Sequence, residues 1–428
     1  MRRILSRLRA RAAQRWQDTR IAYRQPAGAI VTVFRRDAES RPADASSTDV
    51  RLAGDAQRTT ATSRDARIPA DARLSMDVDR PGDAPRSGDA ERSEHAEHSG
   101  DAEYSGDAEP VGDAEPAGRF SGDADSSADA RRSAFDGGRA FALLRAQCDV
   151  GPRIPGTAGH ARTRELLTGE LSRWADEVAV QEWTQRIDRG PGKGTAPAMA
   201  NIFARFHGTA SAKGGAQTGP DATPALMLCA HWDTRPVADH DRDPSKRAEP
   251  VPGASDGASG VAVLLELARV LRMHPPARTV TLALFDGEDI GEYYYGSRFY
   301  ARSAQDGANA RWKPRRAVLL DMIGGHPLRC TTEINSLNAA PALWNEVHSA
   351  ATRLGLDAHF HGPARAITDD HVFLNRAGIP SIVLIDYSYP HWHTTEDTVD
   401  KCGRQPLQVI GDVLLDFMRA ALPPAGAS

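Results

Sequence analysis

In the segment TVTLALFDGED, residues 279–289, an apolar run stops abruptly on a cluster of carboxylates. Its Val, Thr, Leu and Phe residues, followed by Gly287, predict a strand that is buried on both faces of a sheet. Open α/β sheets bind ligands at the carboxyl ends of their strands, so these acids stand where a ligand would lie. Glu288 and Asp289 project in different directions, which allows one to hold a metal ion while the other transfers protons.

Similar apolar runs recur along the chain and alternate with helical patterns. The runs are residues 225–230, 317–320 and 381–385, and the helical patterns are residues 260–271, 342–354 and 407–421. Residues 178–183 and 201–206 read as two strands of a hairpin. Because strands alternate with helices, we predict one α/β domain, residues 133–428, with a mostly parallel central sheet flanked by helices.

The composition of the first 132 residues predicts a disordered low-complexity tail. They are rich in Asp, Ala, Arg, Gly and Ser and contain Gly-Asp-Ala-Glu repeats such as SGDAER at residues 87–92 and SGDAEY at residues 99–104. Such a composition offers too little apolar surface to offset the entropy of ordering. A calcium-binding β-roll is disfavoured because each repeat lacks the large apolar residue that a roll turn buries.

Charge and cysteine content exclude several classes of protein. The 428 residues carry a net charge of −4, which gives no overall basic field for nucleic acid. Four separated cysteines form neither a Cys-x-x-Cys zinc motif nor a dense disulfide framework. The N-terminus lacks the continuous apolar segment of a secretory signal, and no segment is long enough for a membrane span, so we expect a cytoplasmic protein. We also expect a monomer. A start codon further upstream would instead allow a secreted or envelope protein.

Polar residues follow four of the predicted strands, and acids join them from two loops. These residues are His231, Asp233, Glu288, Asp289, Asp321, His393, Asp256, Asp369 and Asp370. Each alone is more simply a surface charge, a helix cap or a hydrogen-bonded core histidine. Together at one sheet edge they would repel one another unless a cation or shared protons neutralised them. Oxygen and imidazole ligands without thiolate fit zinc held by two carboxylates and one histidine.

A serine hydrolase is the competing interpretation. GASDG at residues 253–257 matches the Gly-x-Ser-x-Gly nucleophile motif, and Ser255, Asp321 and His393 follow the chain order of an α/β-hydrolase triad. That motif needs a strand directly before it. Pro250 and Pro252 make a central strand there very unfavourable.

Seven motifs resemble, in order, those of the zinc-dependent glutaminyl cyclases, which share the fold family of the M28 zinc aminopeptidases. They are AHWDT from Ala230, SDGASG from Ser255, FDGED from Phe285, YGSR from Tyr295, LDMIG from Leu320, DDH from Asp369 and WHT from Trp392. The resemblance covers about residue 133 to the C-terminus. It implies a zinc aminopeptidase-like fold.

The resemblance also implies a role for each matching residue. Asp256, Asp289 and His393 would bind one zinc ion per chain, and Glu288 would be the acid and base. Asp321 and Asp369 would form a carboxylate pair beside it. Trp392, Ile367 and Tyr389 would line the substrate pocket.

The reaction implied by the resemblance converts the N-terminal glutamine of a peptide or protein to pyroglutamate and releases ammonia. An M28 aminopeptidase is the alternative, with a second zinc ion bound by His231 and Asp321 and bridged by Asp256. The acid at position 369 favours the cyclase, because the peptidases generally carry a small residue there. Asp289 departs from the family's usual glutamate, and the loop after it is short. A non-catalytic binding module is therefore a third, less favoured class, since Glu288 is retained.

Overall fold

A computed structural model describes residues 20–24, 30–35, 135–209, 223–305 and 312–422 of the chain. All the described residues belong to one compact unit. In these described ranges no helix is long and apolar enough to cross a membrane.

Ten strands are present in the described ranges. They are β1 (Arg20–Arg24), β2 (Ile30–Arg35), β3 (Glu177–Thr184), β4 (Ala198–Phe206), β5 (Leu226–His231), β6 (Val280–Phe285), β7 (Ala317–Asp321), β8 (Thr331–Glu333), β9 (Gly362–Arg365) and β10 (Ser381–Ile385). Eight of them form one sheet in the order β1-β2-β3-β4-β6-β5-β7-β10, and β8 and β9 form a separate parallel pair.

The large sheet is mixed. Strands β6, β5, β7 and β10 run parallel, whereas β1, β2, β3, β4 and β6 pair antiparallel in succession. The α/β fold with a central sheet flanked by helices is thus confirmed, and the predicted hairpin of β3 and β4 is present. The parallel part covers half of the strands, because the hairpin and two N-terminal strands extend one side.

Eight α-helices of the described ranges cover the two faces of the sheet. They are α1 (Gly137–Cys148), α2 (Ala158–Trp174), α3 (Ala258–Met273), α4 (Tyr295–Gln305), α5 (Ile334–Ala339), α6 (Pro341–Arg353), α7 (Asp370–Arg376) and α8 (Arg404–Ala421). Leu144, Leu167, Val263 and Val413 belong to one apolar core, which includes α1, α2, α3 and α8. Tyr300 and Leu374 place α4 and α7 in a second core on the other face.

The prediction of a disordered tail is wrong for residues 20–24 and 30–35, which form strands β1 and β2. Strand β2 pairs antiparallel with β3, Val31 opposite Gln181 and Val33 opposite Ala179, and both valines are buried. The local composition of this short apolar run gave no sign of its partner, because that strand lies more than a hundred residues further along the chain. Residues 36–134, where the repeats lie, are outside the described residues.

The parallel strands bring the predicted polar residues to one edge. Strand β5 ends at His231, β6 ends just before Asp286, and β7 ends at Asp321. In the β5–β6 register, His231 lies opposite Phe285. The loops that follow these strands therefore start side by side, as the sequence predicts.

Candidate metal centre and active site

The loop after β6 is fixed by a buried carboxylate from the loop after β5. Asp233 Oδ1 accepts the backbone N–H of Glu288 at 3.0 Å, and its Oδ2 accepts that of Asp289 at 3.1 Å. Gly287, with φ of 73°, turns the chain immediately before this pair. Asp233 therefore sets the positions of both acids without facing the cavity itself.

A second carboxylate fixes the loop that carries Asp256. Asp397 accepts the backbone N–H groups of Ser255 at 2.8 Å and Asp256 at 3.1 Å. The buried Arg153 guanidinium spans the other side of this loop, donating to the carbonyl of Gly253 at 2.6 Å and to that of Trp232 at 2.9 Å. Asp256 is thus held on a loop whose backbone groups are satisfied on both sides.

Asp256, Asp289 and His393 converge on one point. His393 Nε2 lies 3.2 Å from Asp289 Oδ1 and 3.7 Å from Asp256 Oδ2, and all three side chains are buried. Within the described ranges, each offers a ligand atom within 4.8 Å of the other two. Asp256 Oδ2 and Asp289 Oδ2 are buried and have no hydrogen-bond partner. Two carboxylates that each keep an orphaned oxygen beside one imidazole fit a bound zinc ion.

His231 forms a second cluster that shares Asp256. Its Nε2 lies 3.0 Å from Asp256 Oδ1 and 3.1 Å from Asp321 Oδ1. The ligand atoms of these three residues also lie within 4.8 Å of one another. The second set that the sequence predicts is therefore assembled in space, with His231 hydrogen-bonded between two carboxylates.

Burial and neighbouring charge perturb the acids in different directions. Burial and the Asp289 charge raise the pKa of Glu288 well above its usual range, and the same two causes raise that of Asp256 to about 7. Burial also opposes ionisation of Asp289, but the hydrogen bond and charge of His393 outweigh it and lower its pKa to about 2. Neighbouring acids whose pKa values are shifted in opposite directions are typical of functional sites.

Asp369 places a further carboxylate beside Asp321. It is buried, its Oδ1 accepts the backbone N–H of Asp370 at the start of α7, and its Oδ2 has no partner. Burial and the Asp321 charge raise the pKa of Asp369 well above its usual range. Asp370 itself points away, accepting the Ser297 hydroxyl at 2.5 Å, and His371 pairs with Glu333 at 3.1 Å.

These acids open onto a cavity of about 310 Å³. Its wall includes Asp256, Glu288, Asp289, Asp321, Asp369, His393, Trp392, Ile367, Tyr387, Tyr293, Tyr294, Met322 and Arg365. Of the nine residues to which the resemblance gives a role in the cyclase, all but Tyr389 therefore meet here. The prediction for Tyr389 is wrong, because its hydroxyl turns inward to Asp397 at 2.8 Å and Tyr387 takes the place in the wall.

Strained backbone concentrates around the cavity. Tyr293, Tyr294, Met322 and His393 have φ between 47° and 65°, and all four line its wall. Within the described ranges no other residue except glycine has a positive φ. Such conformations cost free energy and persist where the surroundings impose them, which is common at functional sites.

The serine hydrolase is contradicted by the surroundings of Ser255. The residues before it form an irregular loop rather than a strand. Ser255 is fully buried, and its Oγ accepts the backbone N–H of Gly324 at 3.3 Å. His393 faces Asp289 and Asp256 instead.

The sequence places Asp233 at the site because it follows a predicted strand, but it does not show that Asp233 holds the loop of Glu288 and Asp289. Asp397 and Arg153 were missed, because both act through backbone groups of a loop far away along the chain.

A mixed α/β sheet with carboxylate and imidazole ligands at the ends of its parallel strands defines a metal-dependent enzyme. The sequence profile of Peptidase family M28 matches residues 210–418. The crystal structure of Fimbriiglobus ruber glutaminyl cyclase is 31% identical, with a TM-score of 0.61, and the match covers 68% of this chain and 96% of that one. The chain therefore belongs to the M28 family.

Curated relatives include both activities of the family. Aminopeptidase YwaD of Bacillus subtilis (strain 168) is 28% identical over 199 residues, which cover 44% of this chain and 39% of YwaD. Glutaminyl-peptide cyclotransferase of Bothrops jararaca is 26% identical over 301 residues, 62% of this chain and 76% of that protein. The chain thus spans less than half of the curated aminopeptidase and three quarters of the curated cyclase.

Proposed function

We propose that the chain is a zinc-dependent glutaminyl-peptide cyclotransferase, which converts the N-terminal glutamine of peptides to pyroglutamate and releases ammonia. The observation that carries this proposal is the buried Asp369 carboxylate beside Asp321 in the wall of the metal cavity. A carboxylate pair can hold the positively polarised amine that attacks in cyclisation. The similarity to a solved glutaminyl cyclase over nearly its whole length supports the same function.

Asp256, Asp289 and His393 would hold the metal, one zinc ion per chain. Bound there, zinc supplies a Lewis acid for the γ-carbonyl of the substrate glutamine. The low pKa of Asp289 keeps it ionised as a ligand. His393 reaches the site through its Nε2, which faces both carboxylates.

Glu288 is the residue that moves the proton. It lines the cavity next to the ligand Asp289, and Asp233 holds its backbone. Its carboxylate would take a proton from the α-amine and deliver it to the departing amide nitrogen. A carboxylate that exchanges protons near neutral pH needs surroundings that raise its pKa, which burial supplies here.

Asp321 and Asp369 would hold the α-amine. His231 bonds Asp321 at 3.1 Å, which leaves the second oxygen of that carboxylate for the substrate. Asp369 Oδ2 is buried without a partner and is available for the same task. Trp392 and Ile367 form the apolar part of the wall, against which the glutamine side chain would pack.

An M28 aminopeptidase is the second candidate, and the cluster of His231, Asp256 and Asp321 favours it. That cluster could hold a second metal ion, and Glu288 would then deprotonate an attacking water. Asp369 counts against this function, because its raised pKa allows it to hold a proton that it shares with Asp321, and that proton would occupy the ligand a second cation needs.

The experiment measures ammonia released from a peptide that begins with glutamine, using the full chain with and without a zinc chelator. We expect release that the chelator abolishes and that Glu288→Gln lowers by about 10² to 10⁴, with zinc content unchanged. Glu292→Gln is the matched control, since this exposed acid is four residues away and outside the cavity wall. Release of the first amino acid, with two zinc ions per chain, would instead establish the aminopeptidase.

A further inference from the structure

The mouth of the cavity carries one guanidinium. Arg365, the last residue of β9, is exposed and lines the wall beside Ala366 and Thr368. The buried end of the same wall holds five carboxylates, those of Asp256, Glu288, Asp289, Asp321 and Asp369. Among the wall residues that the structure describes, Arg365 is the only arginine or lysine.

The Arg365 guanidinium packs against the ring of Tyr387. Its guanidinium carbon lies 4.9 Å from the centroid of the Tyr387 ring, and that ring lies 5.1 Å from the ring of Trp392. The backbone of Arg365 pairs with Glu333 in the β8–β9 register. Because both its backbone and the face of its guanidinium are held, the Arg365 side chain is restrained beside the cavity wall.

No described carboxylate forms an ion pair with Arg365, in contrast to the other arginine near the site. Arg235 is nearly buried and bonds Asp239 through both Nε and a terminal nitrogen, so its fork is already used. The planar fork of Arg365 remains available, and its geometry matches a carboxylate.

The size of the cavity decides which part of a peptide meets Arg365. A volume of about 310 Å³ is at the small end for ligand pockets, so it holds the first residue of a peptide and little more. An extended chain advances about 3.3 Å per residue, which brings the second and third residues across the mouth.

We propose that Arg365 is a specificity-determining residue. With the N-terminal glutamine bound in the cavity as residue 1, Arg365 favours peptides that carry an acidic side chain at residue 2 or residue 3. This proposal rests on the proposed cyclisation, because it needs the first residue to enter the cavity. The contact is remote from the reacting atoms and binds substrate and transition state alike. Its effect therefore falls on KM rather than on kcat.

The test compares the zinc-loaded full chain on four peptide amides: Gln-Glu-Ala-Tyr, Gln-Gln-Ala-Tyr, Gln-Ala-Glu-Tyr and Gln-Ala-Gln-Tyr. The glutamine at the varied position is the neutral isostere of glutamate. In at least one of the two glutamate/glutamine peptide pairs, we expect the glutamate peptide to have a kcat/KM about two- to fivefold higher, which is the size expected for an exposed ion pair. The difference should come from a lower KM. The preference should shrink in about 0.5 M salt.

Arg365→Gln should abolish this preference, and Arg365→Lys should keep part of it. Arg376→Gln is the matched control, because Arg376 also lies over an aromatic ring, that of Phe373, at 5.1 Å and is absent from the cavity wall. Ammonia release with equal kcat/KM for both members of each pair, or a preference that survives Arg365→Gln, would overturn the role of Arg365 alone. Failure of every glutamine peptide to release ammonia would overturn the cyclase function and this proposal with it.

Discussion

Glu288 and Asp289 share one stretch of backbone, yet their surroundings move their pKa values in opposite directions. Burial and neighbouring acids raise the pKa of Glu288, whereas His393 lowers that of Asp289. The sequence predicts both acids at the end of a strand, since an apolar run ends on them. The apolar run alone does not tell which of the two acids faces a histidine. In the fold Asp289 lies beside His393, and this contact would separate the proposed metal ligand from the proposed proton carrier.

Tyr387 and Tyr389 show where residue-level prediction fails. Both follow β10 in an irregular loop, and no periodicity tells which of them faces the cavity. Tyr387 lines the wall, and Tyr389 bonds Asp397, which in turn holds the backbone of Asp256. A loop can turn alternate side chains in either direction, so the sequence alone could not assign them.

Removing the Tyr389 hydroxyl should affect stability more than substrate binding. We expect Tyr389→Phe to lower the free energy of unfolding by about 1–2 kcal/mol, because Asp397 loses one hydrogen bond. Its KM should stay close to that of the wild type. Trp392→Leu, which removes part of the cavity wall, should raise KM by about five- to tenfold. Urea unfolding and steady-state kinetics measure both, and an equal rise in KM for the two variants would contradict this assignment.

Glu333 supports the loop that carries Ile367 and Asp369, and it gives a pH-dependent prediction. Burial opposes its ionisation, but hydrogen bonds from His371 and from the backbone of Ser336 and Ile367 lower its pKa from 4.5 to about 2. A lowered folded-state pKa stabilises the protein above pH 4.5. This stabilisation, up to about 3 kcal/mol, is lost as the pH falls towards 2.

Glu333→Gln should therefore be less stable than the wild type at pH 7, and the gap should narrow by about 1 kcal/mol between pH 6 and pH 3.5. Urea unfolding at several pH values measures the gap. Glu165→Gln, at an exposed position of helix α2, is the control for the effect that replacing any glutamate has on the pH dependence of stability. A gap that stays constant or widens in acid would show that the ionised form of Glu333 does not stabilise the fold.

Helix α3 packs closely against the strands that carry the site. Its N-terminal residues lie against the ends of β5 and β7, and a Cβ at Gly260 would meet the Leu320 carbonyl oxygen at 2.5 Å. The sequence predicts this helix and both strands, because their apolar runs are long and uninterrupted. It does not predict how closely they approach, which depends on this one missing side chain.

Gly260→Ala should lower the free energy of unfolding by about 1–3 kcal/mol, since backbone must move to admit the methyl group. Gly169→Ala is the matched control in α2, where a Cβ would meet nothing within 4 Å. There alanine should stabilise the helix by about 0.5–1 kcal/mol. Urea midpoints of the two variants measure the contrast, and a neutral or stabilising Gly260→Ala would disprove the close contact.

For the whole molecule, long-range pairing separates what the sequence predicts from what it does not. The parallel strands follow from their apolar runs, and the shared sheet edge then gathers the predicted ligands. Strands β1 and β2 precede residues 36–134 in the sequence, whereas the rest of the sheet follows them. Nothing in the local pattern of β1 and β2 identifies β3 as the neighbour of β2. Two short strands contribute little on their own and gain stability from the sheet they extend.

We propose that the assembled site closes an N-terminal glutamine to pyroglutamate rather than removing a residue. The most direct measurement is mass spectrometry of two peptides incubated together with the zinc-loaded chain, one beginning with glutamine and the other with leucine. We expect that the glutamine peptide loses one ammonia while the leucine peptide stays intact, and that a chelator stops the change. Loss of the first residue from the leucine peptide, with no ammonia lost from the other, would contradict it.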